Sequence, residues 1–213
     1  DQSTLANWLL PIIEANQQLY KNGELTLDTP DYWVLYTMET MAIPPERLDA
    51  GLVCFYLFNI VHLKEGEGIF QDAGIPHAYL RGQNVELMAC SDNVIRGGLT
   101  PKYVDIVELL KIVDCREVTP KIISAAPQNQ SEFTYKTPVN DFALAQIRVE
   151  PEQQTEVNLQ SAGILLVMQG ELKIQEKLTA LILKQGESAF ITADSNVEIM
   201  SEKGGYAFLA KLP

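Results

Sequence analysis

Histidine and cysteine are scarce here, two and three residues respectively out of 213, and that scarcity limits the chemistry the chain can hold. Cys54, Cys90 and Cys115 are far apart and form no C-x-x-C pair. The pattern argues against a disulfide framework and fits reduced, mostly buried thiols in a cytosolic protein. Cys90, inside an apolar run, reads as core. Positive charge is also short: 16 Lys+Arg against 28 Asp+Glu give a net charge of -12. That balance argues against binding nucleic-acid phosphates and disfavours docking on anionic membrane. No apolar run approaches the roughly 20 residues of a membrane span. The start, Asp1-Gln2-Ser3, has neither a Met nor a basic-then-apolar signal segment, and reads as a sequence missing its front.

What is present is ordinary globular composition, 46% hydrophobic and 21% charged, in a chain long enough for one large domain or two small ones. Residues 1–50 read as helical. Leu5, Trp8, Leu9, Ile12 and Ile13 share one helical face, with Ser3 or Thr4 as cap and Pro11 as a kink or a late start. Thr29-Pro30-Asp31 is a second helix start, and Pro44-Pro45 closes the region. From about Leu52 the texture changes to short apolar runs between turn residues. Phe55–Leu63, Ile69-Phe70, Ala78–Leu80 and Val85–Cys90 read as strands, and one further helix follows Asp105. The Pro-rich stretch 120–137 reads as a linker, and strands resume over 138–213.

An internal repeat joins the two β blocks. Residues 63–70 (LKEGEGIF) match residues 183–190 (LKQGESAF) at an offset of 120, with five of eight positions identical. A Gly-Glu turn feeding a strand suits a small antiparallel barrel, so the expected fold is mainly β: two jelly-roll barrels, over 51–119 and 138–213, behind a helical segment. At the same offset His77 aligns with Val197, which places any site in the first barrel.

His77 follows Pro76, which fixes the backbone before it, and precedes an expected strand; a locally satisfied histidine is the plainer reading. His62 reads as a strand surface residue. The densest polar cluster is 91–102 (SDNVIRGGLTPK), anchored by the strand before it. Asp92 supplies a carboxylate, Arg96 a bidentate anion clamp and Lys102 a point cation, with Gly97-Gly98 leaving room for close backbone approach. Those parts can hold a small anion and move a proton on it, or can make a solvated loop with a local ion pair.

Together, the runs Pro76-His77-Ala78-Tyr79-Leu80-x-Gly82, Glu86-x-Met88-Ala89-x-Ser91-Asp92-Asn93 and Arg96-x-Gly98-Leu99-Thr100-Pro101-Lys102 closely resemble type I mannose-6-phosphate isomerases. The resemblance covers nearly all of this chain and about the latter half of a typical member. It implies a cupin fold and a zinc-dependent enzyme interconverting mannose 6-phosphate and fructose 6-phosphate, in the cytoplasm. It makes His77 a zinc ligand, and it places Arg96, Lys102, Tyr79 and Glu86 about the substrate. Asp92 is a candidate for proton transfer, and Arg96 and Lys102 join it as catalytic candidates. The family's other ligands, a Gln-x-His pair and a glutamate, come from an earlier segment, and this sequence has no Gln-x-His. The chain is thus expected to be a C-terminal part, inactive alone, with open strand edges that favour self-association. The alternatives are a non-catalytic cupin that binds a sugar phosphate and a structural module.

Overall fold

In the computed structural model, which describes residues 1–91 and 94–213, the chain opens with helix α1, Gln2–Lys21. Asp1, rather than Ser3 or Thr4, is its cap: the carboxylate accepts the Thr4 N–H at 2.8 Å. Pro11 lies inside the helix and removes one N–H from its ladder, yet the helix continues to Lys21, with Leu9 and Ile13 buried to either side of the proline. Helix α2, Pro30–Thr40, begins at the predicted Thr29-Pro30-Asp31 signal. Trp33 is buried, and its indole N–H donates to the Leu27 carbonyl at 2.8 Å. Tyr20 donates to Glu39 at 2.7 Å, and burial together with that bond pushes its phenol up to about 12.

The predicted strand at Phe55–Leu63 is not one. A 3-10 turn, Ala50–Val53, runs into the short helix α3, Cys54–Leu57. The reason is visible in the burial: Leu48, Leu52 and Phe55 are the buried positions, and their 4- and 3-residue spacing turns one helical face towards α1 and α2. Tyr56 donates to Asp31 at 2.8 Å, and burial with that bond raises its pKa. These helices form the core of a first unit, made of Asp1–His62, Gln71–Asn84 and residues 94–120. The helix expected after Asp105 is α4, Ile106–Ile112, capped by the Asp105 carboxylate on the Glu108 N–H. Its apolar residues are not buried: Ile106 is 64% and Leu110 71% exposed.

The second unit comprises Leu63–Phe70, Val85–Ser91 and Lys121–Pro213. In chain order its strands are β1 (Glu67–Ile69), β2 (Ile122–Ser124), β3 (Ala126–Pro127), β4 (Glu132–Tyr135), β5 (Ala143–Val149), β6 (Gln153–Leu159), β7 (Gly163–Gln169), β8 (Glu171–Glu176), β9 (Thr179–Lys184), β10 (Ser188–Ile191), β11 (Ser195–Ser201) and β12 (Gly205–Lys211). One antiparallel sheet has the order β10-β7-β12-β5-β4-β3, another β6-β11-β8-β9, and β1 pairs with β2 alone. Alternate residues of the two large sheets point into one shared core. Ala145, Ile147 and Val149 come from β5, and Val197 and Ile199 from β11, all at most 4% exposed. The stretch 120–137 is therefore more than a linker, since β2, β3 and β4 lie in it.

The repeat is a shared turn. In both turns, Lys64–Glu67 and Lys184–Glu187, Gly is the third residue, with φ +82° at Gly66 and +85° at Gly186, a conformation that suits glycine. Glu67 N–H donates to the Lys64 carbonyl at 3.0 Å, and Glu187 N–H to the Lys184 carbonyl at 2.9 Å. Each glutamate carboxylate also accepts the lysine N–H, at 2.8 Å for Lys64 and 2.7 Å for Lys184. What surrounds the turns differs. β10 pairs with β7, whereas β1 pairs with β2. At the 120-residue offset β6, β7 and β8 correspond to residues 33–39, 43–49 and 51–56, which are helix or loop. Ala78–Leu80 and Val85–Cys90, both predicted as strands, have no ladder among the described residues. A strand needs a neighbour to satisfy its N–H and C=O groups, and these have none there. The expected pair of barrels is met by one unit with two large sheets, and among the described residues β1 is the strand that 51–119 contributes.

Cysteine burial also departs from expectation: Cys90 and Cys115 are exposed. Cys54 alone is half-buried, and burial raises its thiol pKa. Among the described residues no helix is long and apolar enough to cross a membrane.

Candidate functional site

Two segments of the first unit carry the site candidates. One is the arm Asp72–Leu80. A turn from Asp72 to Ile75 starts it, and Gly74 has φ +80°. Its base is tied to the segment after α4: Asp114 N–H donates to the Gly74 carbonyl at 2.9 Å, and a β-carbon at Gly74 would meet the Ile112 carbonyl at 2.8 Å. Arg116 reaches both Asp72, at 3.4 Å, and Asp114, at 3.2 Å. Beyond this anchor Pro76 delivers His77 to the surface. The His77 Nδ1 lies 3.1 Å from the Ile75 carbonyl oxygen. In the tautomer that donates there, the Nε2 lone pair is left to meet a ligand. Tyr79 sits beside it, ring centroids 6.0 Å apart, and is 61% exposed.

The other segment is the loop 96–102. Arg96 is half-buried and Lys102 exposed. Leu99 lies between them with φ +51°, a left-handed conformation uncommon for a branched side chain. Its side chain packs against the core that holds Leu48 and Leu52. Its N–H donates to an oxygen of Asp49 at 3.2 Å, while the other oxygen of Asp49 accepts the Gly51 N–H at 2.7 Å. Thr100 Oγ1 accepts the Lys102 N–H at 3.2 Å. Asp49 is the residue that sequence reasoning missed. The pattern Asp49-Ala50-Gly51 ahead of the apolar Leu52 is the signal for such a side-chain-to-backbone turn.

The remaining candidates are placed differently. Glu86 is exposed and belongs to the second unit. Asp92 lies outside the described residues. His62 is exposed, off any strand, and 3.0 Å from Asp28; an exposed pair of this kind contributes little. Among the described residues no group of three or more His, Cys, Asp or Glu side chains could hold a metal ion. The donors described here therefore do not make a zinc site by themselves, and His77 stands as a single ligand. Arg96, a planar guanidinium, and Lys102, an ammonium, lie six residues apart on one loop, and each is of a type that binds anions. The second unit has an open, mostly apolar groove of about 270 Å³ lined by Met88, Phe142, Ile164 and Phe190, with Lys211 at its side. It offers no converging polar groups.

Residues 131–203 match the model for the mannose-6-phosphate isomerase cupin domain. Mannose-6-phosphate isomerase of Salmonella typhimurium is 42% identical over 149 residues, covering 70% of this chain and 38% of that protein. The enzyme of Homo sapiens is 37% identical over 160 residues, with 71% and 38% covered. A solved structure of mannose 6-phosphate isomerase from Salmonella typhimurium, bound to substrate (fructose 6-phosphate) and zinc, superposes with a TM-score of 0.72 at 31% identity. All of this chain and 55% of that one are covered. The chain thus spans about 38% of the length of the curated relatives it matches.

Proposed function

Since the chain belongs to the type I mannose-6-phosphate isomerase cupin family, we propose that it supplies the anion-holding loop and one zinc ligand of an enzyme interconverting mannose 6-phosphate and fructose 6-phosphate. The observation that carries this reading is the loop 96–102, which presents Arg96 and Lys102 from a backbone tied to the core. Aldose–ketose isomerisation moves a proton between C1 and C2 while negative charge develops on the carbonyl oxygen. Arg96 is assigned to that developing charge, because a planar fork with fixed donors needs little reorganisation as the charge forms. Lys102 is assigned to the sugar phosphate or to the intermediate as a mobile point cation. Asp92 is assigned to proton transfer, and Tyr79 and Glu86 to the walls of the pocket.

His77 is assigned as one zinc ligand, with the other ligands contributed by sequence outside this chain. On the same reading, residues 51–119 belong to a first cupin barrel in which 78–80 and 85–90 pair with strands outside this chain, the enzyme is cytoplasmic, and 138–213 is a second, structural barrel. The open edge of β9, exposed from Ala180 to Ile182, supports self-association of the chain on its own.

Mixing the chain with the missing part of a family enzyme tests the reading. The chain alone is expected to hold well under one zinc per molecule, to scatter light above monomer mass and to show no isomerisation. Added partner should restore turnover, and Arg96→Ala should then reduce it by about two orders of magnitude. Stoichiometric zinc on the chain alone, or unchanged turnover in Arg96→Ala, would overturn it.

A further inference from the structure

We infer that Asp49, from the helical region before any of the signature residues, is the positioning residue that holds the Arg96–Lys102 loop in its working conformation; the inference rests on the function proposed above for that loop. Three observations converge on it. Asp49 commits one carboxylate oxygen to the Gly51 N–H at 2.7 Å and the other to the Leu99 N–H at 3.2 Å, across 50 residues of sequence. Leu99, the residue it grips, has φ +51°, a left-handed conformation that an unrestrained leucine avoids. The approach is also as close as the backbone allows. A β-carbon on Gly98 would lie 2.9 Å from the Asp49 carboxylate and 3.3 Å from the Gly51 α-carbon. One on Gly51 would lie 2.8 Å from the Leu99 side chain. Both glycines are therefore required by the contact, and neither is explained by its own φ, since neither has a positive value.

The consequence reaches the cations. Arg96 lies three residues before Leu99 and Lys102 three after it, so the left-handed turn at Leu99 sets the relative direction of the two arms of the loop. The Leu99 side chain, packed on the Leu48–Leu52 core, and its N–H, held by Asp49, fix that turn from two sides. Without Asp49 the leucine can relax to an ordinary φ, and the guanidinium loses its alignment while its charge stays intact. Asp49 thus acts through Arg96.

Two variants and two measurements test this. Asp49→Ala removes both hydrogen bonds. Gly98→Ala instead forces the loop off the carboxylate and leaves the Asp49–Gly51 bond, so it stays informative if the first variant folds poorly. In the 213-residue chain, each should speed amide exchange at Leu99 by about tenfold or more while exchange in α1 and α2 stays unchanged. In a complete zinc-loaded enzyme carrying this sequence, each should lower kcat by about tenfold or more. Neither should lower it further once Arg96→Ala is present, because groups acting as one unit are not additive. Unchanged Leu99 exchange, or losses that multiply with Arg96→Ala, would overturn the inference. Normal turnover in Arg96→Ala would instead overturn the function proposed for the loop, and the exchange result would still decide whether Asp49 holds it.

Discussion

The two Lys-x-Gly-Glu turns are the same object in different company. Both close a four-residue turn on a glycine with positive φ, and both fold the glutamate carboxylate back onto the lysine N–H. Around Gly186 the turn is locked into the sheet: its N–H donates to the Val167 carbonyl at 2.8 Å, and the Val167 N–H donates to the Glu187 carbonyl at 3.0 Å. Around Gly66 the locking group is a side chain, the Tyr135 hydroxyl donating to the Gly66 carbonyl at 2.9 Å. The strand that follows Gly186 runs to Ile191 against β7, whereas the one that follows Gly66 stops at Ile69. A turn is written in eight residues, whereas a strand needs a neighbour written elsewhere.

Core truncation should divide the two regions most sharply. Leu165→Ala, at a fully buried position of β7, is expected to cost about 2–5 kcal/mol, whereas Leu110→Ala on the exposed helix α4 stays within about 0.5 kcal/mol. Urea unfolding midpoints measure both, and equal losses would mean that α4 is packed as tightly as the β unit. A smaller effect tests the identity of the turns. A β-carbon at Gly66 or at Gly186 would meet nothing within 4 Å. Alanine at either therefore costs only its torsional strain, about 1–2 kcal/mol. Losses that differ severalfold would show that the shared sequence hides two different turns.

Much of this was legible in the residues, for a reason that separates the successes from the failures. The turns, the helix start at Thr29-Pro30 and the helix after Asp105 each depend on a few adjacent residues, and each is found where the spacing puts it. The strands at Ala78–Leu80 and Val85–Cys90 depended on partners that the described chain does not offer. Phe55 misled because a short apolar run fits a strand and a helix equally well until burial shows a 3–4 residue spacing. Cys90 reads as core from its apolar neighbours, yet its segment has no ladder among the described residues and Cys90 is exposed. At the site, Arg96, Lys102 and His77 stood out by their type and setting. Asp49 did not, since its role depends on a contact 50 residues away.

The smallest expected difference lies in the glutamates themselves. Glu67→Ala and Glu187→Ala each remove one carboxylate-to-N–H bond at the surface and should cost about 0.5–1.5 kcal/mol apiece. Thermal unfolding of the two variants would resolve them. A loss confined to Glu187→Ala would mean that the first turn is held by Tyr135 alone.

The strand order carries a consequence for timing. β12 sits between β7 and β5 in the six-stranded sheet, although it follows both of them in the chain. As the chain leaves the ribosome, β5 and β7 emerge with an empty lane between them and must wait some 40 residues for the strand that fills it. Throughout that wait each shows an unpaired edge and an apolar face, the features that recruit chaperones or neighbouring chains. Insertion of Gly205–Lys211 closes that window in a single step.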